Sequence, residues 1–335
     1  MDEKYIEHGD RAVVVDNRFQ YVMALTLNPA THYRDGVIRC ITSREGDVSV
    51  SGYIDRSELH TITGTSFEKF EIGEKLSMRN EAEVMHEILE DGMDFLGFED
   101  PDIWIDEKTN TIHLYFTIPL FSKNGNMTKI HLGHAFGKDL HSLEMTRPVL
   151  MADELGGAKE LCLAPLNKKG FRYNLVESSD NETGAYSTVR VAIAHDMEKE
   201  WEFGKTVFHP AKHNIPWIAG HASPGPLFPG DFIYIGEGKR LGLMNGREAN
   251  KTIDGKTTYG TFSVGLFIYD YENGKIEWVS AKPFIQDSEA RTITFASQFV
   301  EIGKGEGIAY AHIDDAFIRA YTIDAERIRL LISQL

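Results

Sequence analysis

Two adjacent carboxylates, Glu99 and Asp100, are the residues of this chain whose types and spacing most suggest chemistry. They lie just before an apolar hairpin, whose strands we predict at 103–105 and 112–116 with a turn at 106–110. A carboxylate pair at the mouth of an apolar hairpin has little structural use, whereas carboxyl groups serve as acids and bases in catalysis. The pair is therefore a candidate for acid chemistry.

The amino-acid composition argues against several classes of binding partner. The 335 residues are 42% hydrophobic, and 35 basic residues face 51 acidic ones, a net charge of −16. Such a protein repels phosphate backbones and anionic lipids, so we expect no nucleic-acid or membrane partner. Cys40 and Cys162 lie in strand-like runs and are predicted to be reduced packing residues. No long apolar run and no apolar N-terminal region occur, so we expect a cytoplasmic protein unless a leader was removed.

The elements that must position these groups are mostly strands. Helical periodicity is confined to residues near 79–93 and 324–333, and the rest alternates with period two between Gly, Asn and Asp. A unit of one hairpin followed by a third strand recurs along the chain. The predicted hairpin turns are at 33–36, 107–110, 167–170, 236–239 and 303–306.

Five such units predict an all-β fold, a five-bladed β-propeller that occupies 1–335 as a single domain. Radial repetition leaves few exposed strand edges, and units longer than the roughly 40–50 residues of common propeller repeats indicate long loops at one end. A large β-sandwich is the structural alternative. The predicted blades, with a short helical insert near 79–93, are at about 25–75, 95–150, 158–208, 220–285 and 290–330.

Several ordered motifs resemble one known family over residues 25–330. The motifs are Glu99-Asp100-Pro101, Lys159 six residues before Pro165, a Gly/Pro-rich loop at 220–226, and Asp315 at the head of a strand. Together they resemble the β-mannoside phosphorylases and mannosidases of glycoside hydrolase family 130, which are five-bladed propeller enzymes. The resemblance implies a glycosidase whose substrate is an oligosaccharide.

Three departures from the family pattern bear on the reaction. Asp102 replaces the arginine of the Glu-Asp-Pro-Arg motif, Glu177 stands near the place of another arginine, and residues 243–246 replace a Tyr-His-Gly strand. In the phosphorylases, cations at such places hold inorganic phosphate. Phosphate beside Asp102 and Glu177 would meet repulsion rather than charge-assisted hydrogen bonds, which favours water as the nucleophile.

Inverting hydrolysis needs an acid for the leaving oxygen and a base for water, about 6.5–9.5 Å apart. The resemblance makes Asp100 the candidate acid, with the proton passing through a sugar hydroxyl, and Glu177 is the candidate base. An Asp-Pro turn and a solvated strand-end charge are the structural alternatives for these two residues. Glu99 is expected to orient Asp100 or to raise its pKa by like-charge proximity.

The remaining candidates are substrate-binding side chains. Lys159 would hold a sugar hydroxyl or neutralise the acidic funnel, and Asp315 would accept hydrogen bonds from hydroxyls. The loop residue His221 and a funnel-facing Arg44 complete the set with Glu99 and Asp102. For each, a surface or packing role is the alternative.

No metal or cofactor is predicted. His131 and His134 are three apart, which puts them on opposite faces of a strand, and no phosphate loop, nucleophile elbow or Cys-x-x-Cys motif occurs.

Three rival functions stay open at this point. One is a phosphorylase of the same family whose phosphate cations are Arg190, Arg240 or Arg247. Another is an arabinofuranosidase-type five-bladed glycosidase, for which the first predicted blade lacks a matching aspartate. The third is a non-catalytic carbohydrate-binding propeller, since fold does not fix function. The sugar, the linkage and a homo-oligomeric state are left open.

Overall fold

A computed structural model describes residues 6–8, 12–50, 53–122, 127–154, 156–180, 186–253 and 256–333. These ranges are almost entirely β, as predicted, and neither of their two α-helices is long and apolar enough to cross a membrane. The strands pair in antiparallel sheets that follow one another along the chain.

The N-terminal part begins with one short strand, β1 (Ile6–His8), and continues with a four-stranded sheet in the order β2-β3-β4-β5. The strands of this sheet are β2 (Tyr21–Leu27), β3 (Asp35–Glu45), β4 (Ile54–Ser66) and β5 (Lys69–Lys75). The turn predicted at 33–36 lies too far along the chain, because a 3-10 turn at Pro29–Thr31 makes the connection and Asp35 already belongs to β3.

A short helix, α1 (Glu81–Ile88), lies within the predicted range 79–93 and leads to the second sheet. The long strand β8 is central in this sheet. β7 pairs with its first part and β6 with its last residues. The strands are β6 (Met93–Phe95), β7 (Glu99–Asp106), β8 (Thr111–Ser122), β9 (Met127–Gly137) and β10 (Glu144–Met145).

The next eight strands with continuous pairing form one sheet that contains two antiparallel halves. The first half is β11 (Lys159–Cys162), β12 (Arg172–Ser179), β13 (Ser187–Ala194) and β14 (Glu202–Phe208). The second half has the paired order β15-β16-β19-β20, with a separate hairpin β17-β18. These strands are β15 (His221–Leu227), β16 (Lys239–Arg247), β17 (Lys251–Ile253), β18 (Lys256–Thr258), β19 (Phe262–Asp270) and β20 (Lys275–Val279). The two halves are joined by the parallel pair Ser187 and His221.

The last sheet combines both ends of the chain. Its strands β21 (Thr294–Gly303), β22 (Glu306–Ile313) and β23 (Phe317–Asp324) are followed by helix α2 (Ala325–Ile332). Strand β1 pairs antiparallel with β23, so that Ile6 lies opposite Ile323. The N-terminal strand therefore forms the outer edge of a sheet built from the C-terminal strands.

The core consists of apolar side chains between neighbouring sheets. Val37 and Leu59 of the first sheet pack in one cluster with Leu114 and Phe116 of the second. Each such side chain contributes about 1.5–3 kcal/mol when it is fully buried. Each sheet is thus held by its neighbours, which fixes the strand ends that line the site described below.

Buried histidines in the second sheet make stability sensitive to acid. His131 and His134 lie on β9, and Nδ1 of His131 accepts a hydrogen bond from the Ala152 N–H at 2.8 Å. His134 Nε2 lies 3.0 Å from Nδ1 of His113, and its own Nδ1 lies 2.9 Å from Thr146 Oγ1. Burial lowers the pKa of His131 to about 4 and that of His134 to about 3.

We expect the free energy of unfolding to fall as the pH drops from about 6.5, the pKa of an unfolded histidine, towards 4. In that window the unfolded chain binds protons that the folded chain excludes. Urea unfolding at several pH values measures the slope, and His131→Asn should flatten it. The exposed His141 provides the control His141→Asn. Equal slopes for the parent and His131→Asn would contradict the assignment.

Candidate active site

A cavity of about 650 Å³ lies where residues of several sheets meet. Its volume is in the range of small-molecule sites. The titratable side chains that line it in the described structure are Arg39, Tyr53, Asp55, Glu99, Asp100, Lys159, Glu160, Glu177, His221, Arg247, Tyr259, His312 and Asp315. Carboxyl groups thus outnumber arginine and lysine side chains, which suits a neutral or hydroxyl-rich ligand better than an anionic one.

Most of the residues predicted from the sequence meet in this cavity. The predicted residues that line it are Glu99, Asp100, Lys159, Glu177, His221 and Asp315. Asp100 and Glu177 come from different sheets, on β7 and β12. The fold therefore brings together the two carboxylates that were assigned as acid and base.

Asp102 does not line this cavity. It contributes instead to a second cavity of about 140 Å³, together with Leu163, Pro224 and Gln298. The bulge between Glu99 and Asp102 explains the difference, because it changes the register of β7 between the two residues. Burial raises the pKa of Asp102 to about 7. Because Asp102 lies outside the main cavity, its carboxyl does not face the space in which the motif comparison expected it to repel phosphate.

Arg44 also does not line the cavity, but it contacts Asp55, which does. Its guanidinium donates to both carboxylate oxygens of Asp55 at 2.7 Å and to the backbone oxygen of Asp315 at 3.0 Å. The same group lies 4.5 Å from the ring centre of Tyr21. Arg44 therefore holds Asp55, which does line the cavity, rather than facing a ligand itself.

One buried arginine is the cationic partner of both Glu99 and Asp100. Arg39 on β3 donates to Asp100 Oδ1 at 3.1 Å and, with its other terminal nitrogen, to Glu99. Burial raises the pKa of Glu99, and the charge of Arg39 opposes that rise. The charge of Asp100 also raises the pKa of Glu99, which is the reverse of the predicted effect of Glu99 on Asp100. A lone arginine within the apolar run 37–41 was the sequence signal for this partner.

Glu177 is buried between Lys159 and His221 rather than solvated at a strand end. Its Oε1 lies 3.3 Å from Lys159 Nζ, and its Oε2 lies 3.0 Å from His221 Nε2. Burial alone would raise the pKa of Glu177, but His221 and Lys159 outweigh it and hold the pKa well below the usual range. Glu177 is therefore a carboxylate at neutral pH, as a base must be.

Asp315 occupies the turn before β23 and is fixed by two side chains. Tyr53 donates its hydroxyl hydrogen to Oδ2 at 3.0 Å, and His312 Nδ1 lies 2.8 Å from Oδ1. Burial works against the charge, yet His312 and other neighbours lower the pKa of Asp315 to about 2. Tyr53 and His312 were missed in the sequence because their link to Asp315 depends on the fold.

Glu160 is the principal acidic residue that sequence reasoning missed. It follows Lys159 on β11, and its side chain lines the cavity without a hydrogen-bond or ion-pair partner among the described residues. Burial raises its pKa well above the usual range, and the charge of Asp100 raises it further. The sequence signal for Glu160 was its place at the start of a strand. Lys159-Glu160 begin β11, just as Glu99-Asp100 begin β7 in the preceding sheet.

Arg247 is the one of the three arginines considered for phosphate that lines the cavity in the described structure. Its guanidinium carbon lies 4.6 Å from the ring centre of Tyr259 and 5.5 Å from that of Phe262. Arg190 is instead paired with Asp153 at 3.0 Å, and Arg240 donates to the backbone oxygen of Lys239. Arg247 and the aromatic rings form one wall of the site.

Comparison with known proteins places the fold. No protein-family model matches the chain, and no curated protein does. Solved structures do match. The β-1,2-mannobiose phosphorylase of Listeria innocua has a TM-score of 0.68 and 12% identity, with 98% of this chain and 99% of that chain covered.

Two other solved structures are similar at lower scores. A mannose phosphorylase from Leishmania mexicana has a TM-score of 0.56 and 12% identity, with 95% and 88% of the two chains covered. An endo-arabinase from Bacteroides thetaiotaomicron has a TM-score of 0.55 and 12% identity, with 94% and 97% covered. The resemblance to the mannoside phosphorylases predicted from the motifs is thereby confirmed in the fold, which this chain shares with propeller glycosidases and phosphorylases.

Proposed function

We propose that this protein is an inverting glycoside hydrolase that cleaves β-linked mannosides or related oligosaccharides. One observation carries the proposal: Asp100 and Glu177 line one cavity from different sheets, and Lys159 is paired with Glu177 at 3.3 Å and also carries the electrostatic influence of Asp100. Two carboxyl groups separated by a cation and facing a common space fit acid and base roles on opposite sides of a sugar ring.

The scaffold in this proposal is a single domain with five blades. The eight-stranded sheet divides naturally at the pair Ser187 and His221, because the two halves are antiparallel internally and parallel only there. With that division, the β-sheets that pack on one another number five in the described part of the chain, and each contributes residues to the cavity. The separate β17-β18 hairpin would lie at the rim, since Asn250 and Tyr259 on either side of it line the cavity.

The reaction proceeds by displacement at the anomeric carbon. A water oxygen forms the new bond to that carbon while the bond to the leaving oxygen breaks. The acid at Asp100 supplies the proton that the leaving oxygen gains, and Glu177 accepts the proton that water loses. His221 and Lys159 keep Glu177 ionised and hold it in place.

Other cavity residues would bind the sugar hydroxyls. Asp315 is ionised and accepts hydrogen bonds, and Nε2 of the buried His312 has no hydrogen-bond partner among the described residues. Phe262 and Phe295 line the same space and offer apolar faces to the C–H surfaces of a pyranose. Mannose as the glycone is supported by the motif series and by the similarity to the mannobiose phosphorylase.

A phosphorylase is the second candidate, and Arg247 is the observation that favours it. Arg247 is a cation in the cavity wall whose polar contacts in the described structure are to Asn250 and to the backbone oxygen of Gly220. The excess of carboxyl groups around it favours water instead, since a phosphate dianion would pay a repulsive cost there.

Product analysis separates the two candidates. We expect incubation with β-mannobioses to release free mannose at the same rate with and without inorganic phosphate. Proton NMR at early times should show the α-anomer first if the reaction inverts a β-linkage. Formation of mannose 1-phosphate would replace hydrolysis by phosphorolysis, and Arg247→Met should then raise the KM for phosphate.

A further inference from the structure

Strand β7 of the second sheet and strand β11 of the eight-stranded sheet carry the same backbone irregularity. β7 changes register between Glu99 and Asp102, and β11 changes register between Lys159 and Cys162. The residue at each irregularity has a positive φ, 46° at Asp100 and 51° at Glu160. Such a conformation costs free energy in residues other than glycine, so it is retained where the surroundings enforce it.

These irregularities present two carboxyl groups to one cavity from adjacent sheets. Asp100 and Glu160 both line it, but their partners differ. Asp100 accepts a hydrogen bond from Arg39 at 3.1 Å, whereas Glu160 has no hydrogen-bond or ion-pair partner in the ranges described. The neighbouring cation, Lys159, is paired with Glu177.

We propose that Asp100 and Glu160 act as one carboxyl pair that holds a single proton, with Glu160 as a further catalytic residue. Asp100 carries the negative charge that Arg39 neutralises, and Glu160 carries the proton. The inference rests on the proposed glycosidase function and assigns the source of the acid within it.

Electrostatics support this division of roles. Burial raises the pKa of Glu160, and among neighbouring charges that of Asp100 raises it most. Two interacting carboxyl groups titrate as a pair, in separate steps. In the reaction the Asp100–Glu160 pair gives its proton to the leaving oxygen, and Glu177 gains a proton from water. The pair then regains a proton from solvent, and Glu177 releases its proton to solvent.

The kinetic test is Glu160→Gln. The variant removes the carboxyl group that shares the proton with Asp100. Asp100 must then hold the proton alone beside Arg39, so the alkaline limb of the pH profile of kcat/KM should move down by about one pH unit. At a pH above the limb, this shift lowers kcat/KM about tenfold. Activated aryl mannosides, whose leaving groups need little protonation, should lose less than mannobiose. Glu160→Asp should restore the limb in part, because aspartate tolerates a positive φ.

Matched controls and a second readout keep the test decisive. Glu326→Gln on the exposed face of α2 removes one carboxylate far from the cavity and should leave the profile unchanged. An unchanged limb in Glu160→Gln, with normal thermal unfolding, would overturn the proposal. The titration of Glu160 can also be followed without any substrate, by ¹³C NMR of carboxyl-labelled protein with Glu160→Gln for assignment.

The NMR result separates failure of this inference from failure of the proposed function. A Glu160 carboxyl that titrates near the ordinary value of about 4.3 would refute the pair even in an active enzyme. A chain with a high Glu160 titration that cleaves no glycoside would retain the pair and refute the glycosidase.

Discussion

Asp100→Asn is expected to lower kcat by about 10²- to 10⁴-fold, the usual contribution of general acid–base catalysis. Asparagine keeps the shape of the side chain and can still accept a hydrogen bond from Arg39, but it cannot share the acid proton with Glu160 or pass it to the leaving oxygen. It also removes the charge that holds a proton on Glu160. Because the sugar contacts remain, we expect KM to change little, and steady-state kinetics on β-mannobioses measure both constants.

Asp106→Asn is the matched control for this prediction. Asp106 ends the same strand, where its carboxylate accepts hydrogen bonds from the Lys108 N–H and the Thr109 hydroxyl. Full activity in the control and a severe loss in Asp100→Asn, with sugar binding retained by calorimetry, identify an enzyme. Retention of more than a tenth of the activity by Asp100→Asn would remove Asp100 from the acid role. A parent chain that binds sugar but cleaves nothing would indicate a binding propeller.

Arg39→Met is expected to lower the free energy of unfolding by about 3–5 kcal/mol, the cost of removing one partner from a buried ion pair. Arg39 is 6% exposed and contacts both Glu99 and Asp100. Methionine fills much of the space of the arginine stem but leaves two buried carboxyl groups without their cation. Urea unfolding at neutral pH measures the difference.

The pH dependence of the Arg39→Met effect checks its cause. The loss should be largest at neutral pH and should shrink as the pH falls, because protonated carboxyl groups no longer need the guanidinium. The exposed Arg56 on the neighbouring strand provides the control Arg56→Met, which should cost little. A loss for Arg39→Met that stays constant from neutral to acidic pH would point to packing rather than to unpaired charge.

The strand pattern and the motifs could be predicted from the sequence because each depends on residues that are close together along the chain. The predicted hairpin turns at 107–110 and 167–170 lie between paired strands. Those at 236–239 and 303–306 also join paired strands, although Lys239, Gly303 and Glu306 already belong to the strands. Asp100, Lys159 and Asp315 were found by resemblance of short motifs, and the structure places them in one cavity. Such features need no knowledge of which sheets are neighbours.

The partners of these residues could not be read in the same way. Arg39 donates a hydrogen bond to Asp100 from a different sheet, and Tyr53 donates one to Asp315, which is far from it along the chain. Asp102 was misplaced because period-two alternation does not reveal a bulge, and the bulge at Asp100 shifts every residue after it. Glu160 was overlooked because its significance comes from an equivalent position in the next sheet.

The pairing of β1 with β23 has a consequence for how the protein is made. During synthesis Ile6 leaves the ribosome long before Ile323 exists, so β1 must wait without its partner until the last sheet is complete. Contacts of such sequence separation are slow to form because a very long loop must close first. We therefore expect the closing strand to dock as a late folding step, detectable as the last amide protons of the sheet to gain protection in pulse-labelled hydrogen exchange.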